Sequence, residues 1–375
     1  FFFKQKTAYE IVSRDWSSDV CSSDLEARTW LEQALAILDS LMNSCAVLDD
    51  AFETRLELRA VLFQLGEGRQ VLERLREAKT LADKMDDEHR KGRVSAFMTN
   101  IHTLLGETEE AIVTGKRARS IAQRIGNLEL RVHSTNYLVQ AHYFRGEFEH
   151  AIELASDNLA ALPADWDYKY FVGNPAPASI FNRAFLAMSL AQTGRFSEAV
   201  ECENEAIRLA EPTQHAFTIA VAYAAVPAIY LLRGDWQGAR ARMDRFVEVA
   251  RTGNIASLLS SALSASAWLM AQTGDIKAAI KGVEDCSRVL ELQAAQGIGN
   301  LGRAYNALGR ACLLLGRIDQ ARQFAQHAVA TSAQQFGFAA HALHLFGDIA
   351  THRDRIEADV GEAYYRQALA LEIGR

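Results

Sequence analysis

One short phrase recurs seven times along the chain and dictates most of what it can fold into: QLGEGRQVL, LLGETEEAI, FRGEFEHAI, QTGRFSEAV, LRGDWQGAR, QTGDIKAAI and LLGRIDQAR. Its anchor glycines are Gly66, Gly106, Gly146, Gly194, Gly234, Gly274 and Gly316, spaced 40, 40, 48, 40, 40 and 42 residues apart. A fixed spacing of that size marks stacked supersecondary units, each too small to bury its apolar face alone. Five residues after the glycine stands Ala111, Ala151, Ala199, Ala239, Ala279 or Ala321, with Val71 departing. Twelve after it stands Ala78, Ala118, Ala206, Cys286 or Ala328, with Asn158 and Phe246 departing. Glycine takes a turn conformation that a side chain opposes, and alanines seven apart let two helices approach closely. Segments such as RVSAFMTNIHTLL and EEAIVTGKRARSIAQRI carry apolar residues at three- and four-residue steps. Each unit therefore reads as helix A, a tight turn and helix B, and the chain as an all-α solenoid of antiparallel hairpins. An earlier helix, ARTWLEQALAILDSLM, precedes the first full unit, and a degenerate eighth unit (FAAHALHLFGDIA, then AYYRQALAL) follows the last.

Composition bounds the partners. The formal net charge is -7, with 49% of the 375 residues hydrophobic, so no basic field exists to neutralise phosphates or hold the chain on an anionic membrane. No run reaches the roughly 18 to 20 apolar residues of a membrane span. Cys45, Cys202, Cys286 and Cys312 lie far apart without a CxxC pair, the pattern of reduced core thiols in a cytoplasmic protein. No cofactor is expected, and the partners are expected to be protein or peptide, with no direct nucleic acid and no membrane.

Residues 1–25, FFFKQKTAYEIVSRDWSSDVCSSDL, show neither helical nor strand period. Back-translated, KQKTAYEI and DWSSDVCSSDL resemble the two constant parts of a common sequencing-library adapter. The segment, with Trp16 and Cys21, is therefore read as an artefact without fixed structure and set apart from the fold. The rest divides into a front repeat block over 26–162, a loop over 163–179 and a back block over 180–375. The chain stops inside a helical pattern, AYYRQALALEIGR, as a fragment of a longer gene would.

The glycine and alanine register resembles the tetratricopeptide repeat family, whose unit is shorter, about 34 residues. HEAT-like repeats share the longer period but not this register. The resemblance covers about residues 54–372 and implies a right-handed superhelical solenoid that binds proteins. More narrowly, LELRAVLFQLGE, GRVSAFMTNIHTLLGE and YLVQAHYFRGEFEHAIEL resemble the C-terminal repeat regions of bacterial multidomain class III adenylate or guanylate cyclases. That likeness implies a regulatory scaffold, the sensor region of a signalling protein whose catalytic domains are absent here. The alternatives are the sensor array of a LuxR-type ATPase transcription regulator and a free-standing adaptor. By register with the family, residues ten, six and three before the glycine face a concave groove. These are Asn100, Asn136, Gln140 and Tyr143 in front, Ala184, Met188, Ala224, Ala228, Leu231 and Trp268 in the middle, and Asn306 and Arg310 at the end. The middle suits an apolar anchor or amphipathic helix, unless the superhelix winds so tightly that these residues pack on one another.

The 48-residue interval holds LPADWDYKYFVGNPAPAS, whose Trp166, Tyr168, Tyr170 and Phe171 form a candidate contact loop, or else cover the end of a helix pair. GIGNLG, with Gly297, Gly299 and Gly302, matches GxGxxG. It falls between one unit's helix B and the next unit's helix A, however, where no strand can precede it, and is read as an inter-repeat loop. His341 and His344 sit one turn apart without a third ligand at metal spacing. No P-loop, HExxH or GxSxG motif is present. An enzyme active site is not expected.

Overall fold

A computed structural model describes residues 20–41, 45–169, 176–352 and 356–373; most of the set-apart leader, with Trp16, and Tyr170 and Phe171 of the contact loop, lie outside them. Among the described residues there are seventeen α-helices and no strand. In chain order these are α1 (Val20–Ser40), α2 (Cys45–Gln64), α3 (Gly68–Lys84), α4 (Glu88–Leu104), α5 (Thr108–Arg124), α6 (Leu128–Arg145) and α7 (Phe148–Ala160). Then follow α8 (Ala178–Gln192), α9 (Phe196–Ala210), α10 (Ala216–Tyr223), α11 (Trp236–Thr252) and α12 (Ala256–Gln272). The last are α13 (Ile276–Ala295), α14 (Gly302–Leu314), α15 (Ile318–Thr331), α16 (Phe336–Ala350) and α17 (Ala358–Ile373). Each packs on its chain neighbour, and A helices also pack on the next A helix. The architecture is a superhelical solenoid of antiparallel hairpins.

The seven anchor glycines all adopt positive φ, from 72° at Gly316 to 90° at Gly146. Each closes its A helix in a Schellman motif. The N–H after the glycine donates to the carbonyl five residues back from it, as in Glu67 to Leu62 (2.9 Å) and Arg317 to Cys312 (2.8 Å). The B-to-A turns use Asp86, Gly126, Gln214, Asn254 and Gly297 in the same left-handed region. Their residue types are less uniform, which is why only the A-to-B turns stand out in the sequence.

The alanines five and twelve residues on are fully buried, as are Phe246 and Cys286. Burial pushes the Cys286 thiol up to about 12, keeping it protonated. Asn158 departs from the alanine pattern because it has partners: its amide donates to Val132 O (3.1 Å) and Asn136 Oδ1 (3.0 Å). The B helices bury one stripe, in α3 Val71, Leu72, Leu75, Ala78, Leu81 and Ala82. The A helices are buried on more of their surface than the B helices, and in α6 every residue from Val132 to Phe144 is enclosed. B helices thus form the outer layer and A helices the inner one.

Two interruptions shape the inner layer. Pro227 lacks an N–H, and helix A of the fifth unit breaks after α10 into a π-helical segment, Pro227–Leu231. In the long interval a 3-10 turn, Ala164–Trp166, lays Trp166 beside Leu128 and Leu162 against Val132 and Ala178. Lys169 Nζ sits 3.7 Å above its ring, and Tyr168 is exposed. The described part of this loop covers the end of a helix pair. The first helix starts at Val20, inside the segment set apart in the sequence.

The superhelix closes on itself. Gly299 N–H donates to Leu104 O (2.9 Å) and Asn300 N–H to the same oxygen (3.3 Å), while Gln335 Nε2 reaches back to Gly299 O (3.2 Å). One step along, Thr108 Oγ1 donates to Gln334 O (2.7 Å). Gly337 lies close to Gly146 and the Phe148 ring. Turns of the back units therefore stack on turns of the front units. Gly299 serves this contact, since a Cβ on it would stand 2.1 Å from Leu105 O, while Gly302 lets α14 approach Ser332 within its own hairpin. That is close backbone approach, with no nucleotide involved.

Candidate ligand chamber

Closure turns the expected groove into an enclosed lumen. One part of it is a small chamber, partly continuous with solvent, between the middle and end units. Pro227, Ala228, Leu231, Leu232, Ala265, Trp268, Ala307 and Phe338 give it apolar walls. Gln192, Ser261, Ser264, Arg303, Asn306 and His341 give it polar ones. No carboxylate lines it. The π segment brings Ala228, Leu231 and Leu232 to the wall, and Trp268 meets Trp236 edge-on at 6.0 Å between centroids.

Arg303, in the first turn of α14, crosses the lumen. Its Nη1 donates to Tyr143 Oη (3.1 Å) and Met188 Sδ (3.6 Å), and its Nη2 to Ser261 Oγ (2.8 Å). All three acceptors are neutral, and no carboxylate pairs with this guanidinium among the described residues. His341 Nε2 meets Gln192 Oε1 at 3.1 Å. Burial, aided by Arg310 and His344, pushes His341 down to about 4, so near neutral pH it adds no charge to the chamber.

Leu231, Trp268, Asn306 and Ala228 of the expected groove meet at this wall. Tyr143 and Met188 lie one layer behind, reached only through Arg303; Tyr143 is fully buried among Phe144, Phe148, Phe185 and Phe338. Asn136 is also fully buried, accepting from Asn158 and Asn182. Asn100 donates to Gln140 Oε1 (3.0 Å), both buried. These polar residues pair across adjacent A helices and are not offered to a ligand in this closed form. Arg310 is engaged by Asp348 (3.1 Å) and stands 5.4 Å over the Trp268 ring. His341 and His344 point to different partners, His344 to Asp348, and no three metal-type ligands gather among the described residues.

Sequence reasoning did not single out Arg303, Ser261 or Phe338. Arg303 lies outside the register that selects groove positions, and only the closure of the superhelix brings it opposite Tyr143. Its one signal in the sequence is an arginine in the first turn of a helix, GRAYNALGRACLL, that carries no acidic residue.

A family model described as tetratricopeptide repeat matches residues 302–327, spanning α14 and most of α15. No curated protein sequence matches the chain. Among solved structures, it is similar to a Rap protein complexed with Competence and Sporulation Factor, with a TM-score of 0.71 at 12% identity over 98% of this chain and 96% of that one. It is also similar to the apo form of RapI (0.56, 11% identity, 98% and 97% covered) and to aspartyl phosphate phosphatase F from Bacillus subtilis (0.56, 13%, 99% and 95%). At these identities the likeness is one of fold. The chain is a tetratricopeptide-type repeat solenoid, and no described helix is long and apolar enough to cross a membrane.

Proposed function

We propose that this solenoid is a protein-binding regulatory scaffold, the sensor region of a multidomain signalling protein of the nucleotide-cyclase type. The observation that carries the binding role is the outer face of α1, at the front end of the stack. There Trp30 and Ile37, with Leu41 just past the helix end, are 69%, 61% and 53% exposed. They stand seven and four residues apart, one stripe on one face. A repeat array stays soluble when its terminal faces are polar, so an apolar stripe at the end of this one supports cover by another protein surface. The cyclase assignment is supported by the resemblance of the front-unit sequences; the sensor array of a LuxR-type regulator is the competing reading.

The test begins with the reading frame on an uninterrupted contig. An upstream cyclase domain supports the assignment, and a downstream helix-turn-helix replaces it. The neighbouring domain is then titrated against the chain and against its Trp30→Glu/Ile37→Glu variant. Burying a tryptophan anchor typically contributes about 2 kcal/mol or more, so the variant should bind at least tenfold more weakly. Equal binding by both would refute the α1 face as the docking surface.

A further inference from the structure

The chamber holds a positive charge that the protein leaves uncompensated. An arginine guanidinium has five N–H donors and stays charged in proteins. Arg303 gives three of them to Tyr143, Met188 and Ser261, leaving its Nε donor and one Nη2 donor without a partner among the described residues. A half-enclosed cation without a counter-ion is costly. Three residues on, and so on the same face of α14, Asn306 is 9% exposed and makes no hydrogen bond to any described residue. Its Oδ1 is enclosed without a partner, an acceptor that can take a hydrogen bond from a donor on a bound molecule. Two guanidinium donors match the acceptor sites of a carboxylate. The remaining wall, Leu231, Trp268 and Phe338, is apolar.

We propose that the chamber binds a small free monocarboxylate with an apolar body, its carboxylate on Arg303 and its hydrocarbon or aromatic part against Trp268 and Phe338. A single charge is favoured because Arg303 is the one unpaired cation in the lining and His341 stays neutral near pH 7. A phosphate dianion would keep one charge uncovered in apolar surroundings. The inference is independent of the α1 docking surface, and either can fail alone.

Calorimetric titration tests it with phenylacetate, hexanoate and indole-3-acetate, each beside its neutral amide. At least one acid should bind and raise the melting temperature, with its amide weaker by about tenfold or more. Arg303→Gln should abolish binding. Since Arg303 also joins distant helices, a second variant leaves it in place: Leu232→Glu puts a carboxylate in the lining at a position 38% exposed. It should fold as the parent does and lose the acid. The proposal is overturned if none of the three acids binds, if an amide matches its acid, or if both variants bind like the parent. A peptide ending in phenylalanine that binds where the free acids fail would likewise overturn it, by assigning the chamber to a chain terminus.

Discussion

Replacing Gly299 by alanine should open the superhelix, and the structure fixes both the mechanism and the scale. The added Cβ would stand 2.1 Å from Leu105 O, 2.6 Å from Leu105 C and 3.0 Å from Gly106 N. All three are backbone atoms, so no rotamer change relieves the clash. The two turns must separate until the first distance passes 3.0 Å, which breaks the Gly299–Leu104 and Asn300–Leu104 hydrogen bonds. Each lost bond costs about 1 kcal/mol, and residual overpacking about 1–3 kcal/mol. The freed groups regain water, so a net destabilisation of about 2–4 kcal/mol is expected. The assay is chemical denaturation with small-angle scattering on the same samples: stability falls and the radius of gyration rises. Gly316→Ala is the control. Its φ of 72° makes alanine unfavourable, but nothing lies within 4 Å of the new Cβ. It should cost about 1 kcal/mol and leave the scattering curve unchanged. If Gly299→Ala denatures and scatters like the parent, the two turns are not held together, and the closed lumen must be abandoned along with the chamber inside it.

Two further outcomes follow from the lumen wall. His341 titrates at about 4 in the folded chain against 6.5 for a free imidazole, so its contribution is present above pH 6.5 and is lost as pH falls from there to about 4. Discounted for partial exposure, that is about 1–2 kcal/mol; His341→Asn should flatten the stability–pH curve over this window, and an unchanged slope would show the ring to be solvated. Trp268→Ala removes the edge-on contact with Trp236 and the ring beneath Arg310, and should cost about 2–3 kcal/mol in denaturant; a loss below about 0.5 kcal/mol would place the indole outside the packed wall.

The local grammar of the fold was legible because each unit repeats the same two demands, a left-handed turn and a close helix contact. Seven glycines and their trailing alanines state both directly. Asn158 shows where that reading stops. In the sequence it is only a departure from alanine, yet it is held by Asn136 and Val132 from the neighbouring helix, a partnership no single-unit pattern encodes. The GIGNLG loop was placed between units, but the sequence does not say why Gly299 must be glycine. Its reason, contact with Leu104 and Leu105 nearly two hundred residues away, depends on how far each hairpin rotates against the next. That rotation is summed over many side-chain contacts and has no motif. The same gap explains why Asn100, Asn136 and Gln140 looked available and Arg303 did not.

The closure also constrains how such a chain can change. In an open solenoid, units can be gained or lost with little effect beyond their neighbours, because each touches only the next. Here the 296–300 turn must land on the turns at Gly66 and Gly106, and the 332–337 segment on Thr108 and Gly146. One duplicated or deleted hairpin between them would carry every back-unit turn past its seat. Length variation should therefore be confined to the two ends of the array and to loops such as 163–179, and the number of hairpins between the second and seventh units should be as fixed as the number of strands in a closed barrel.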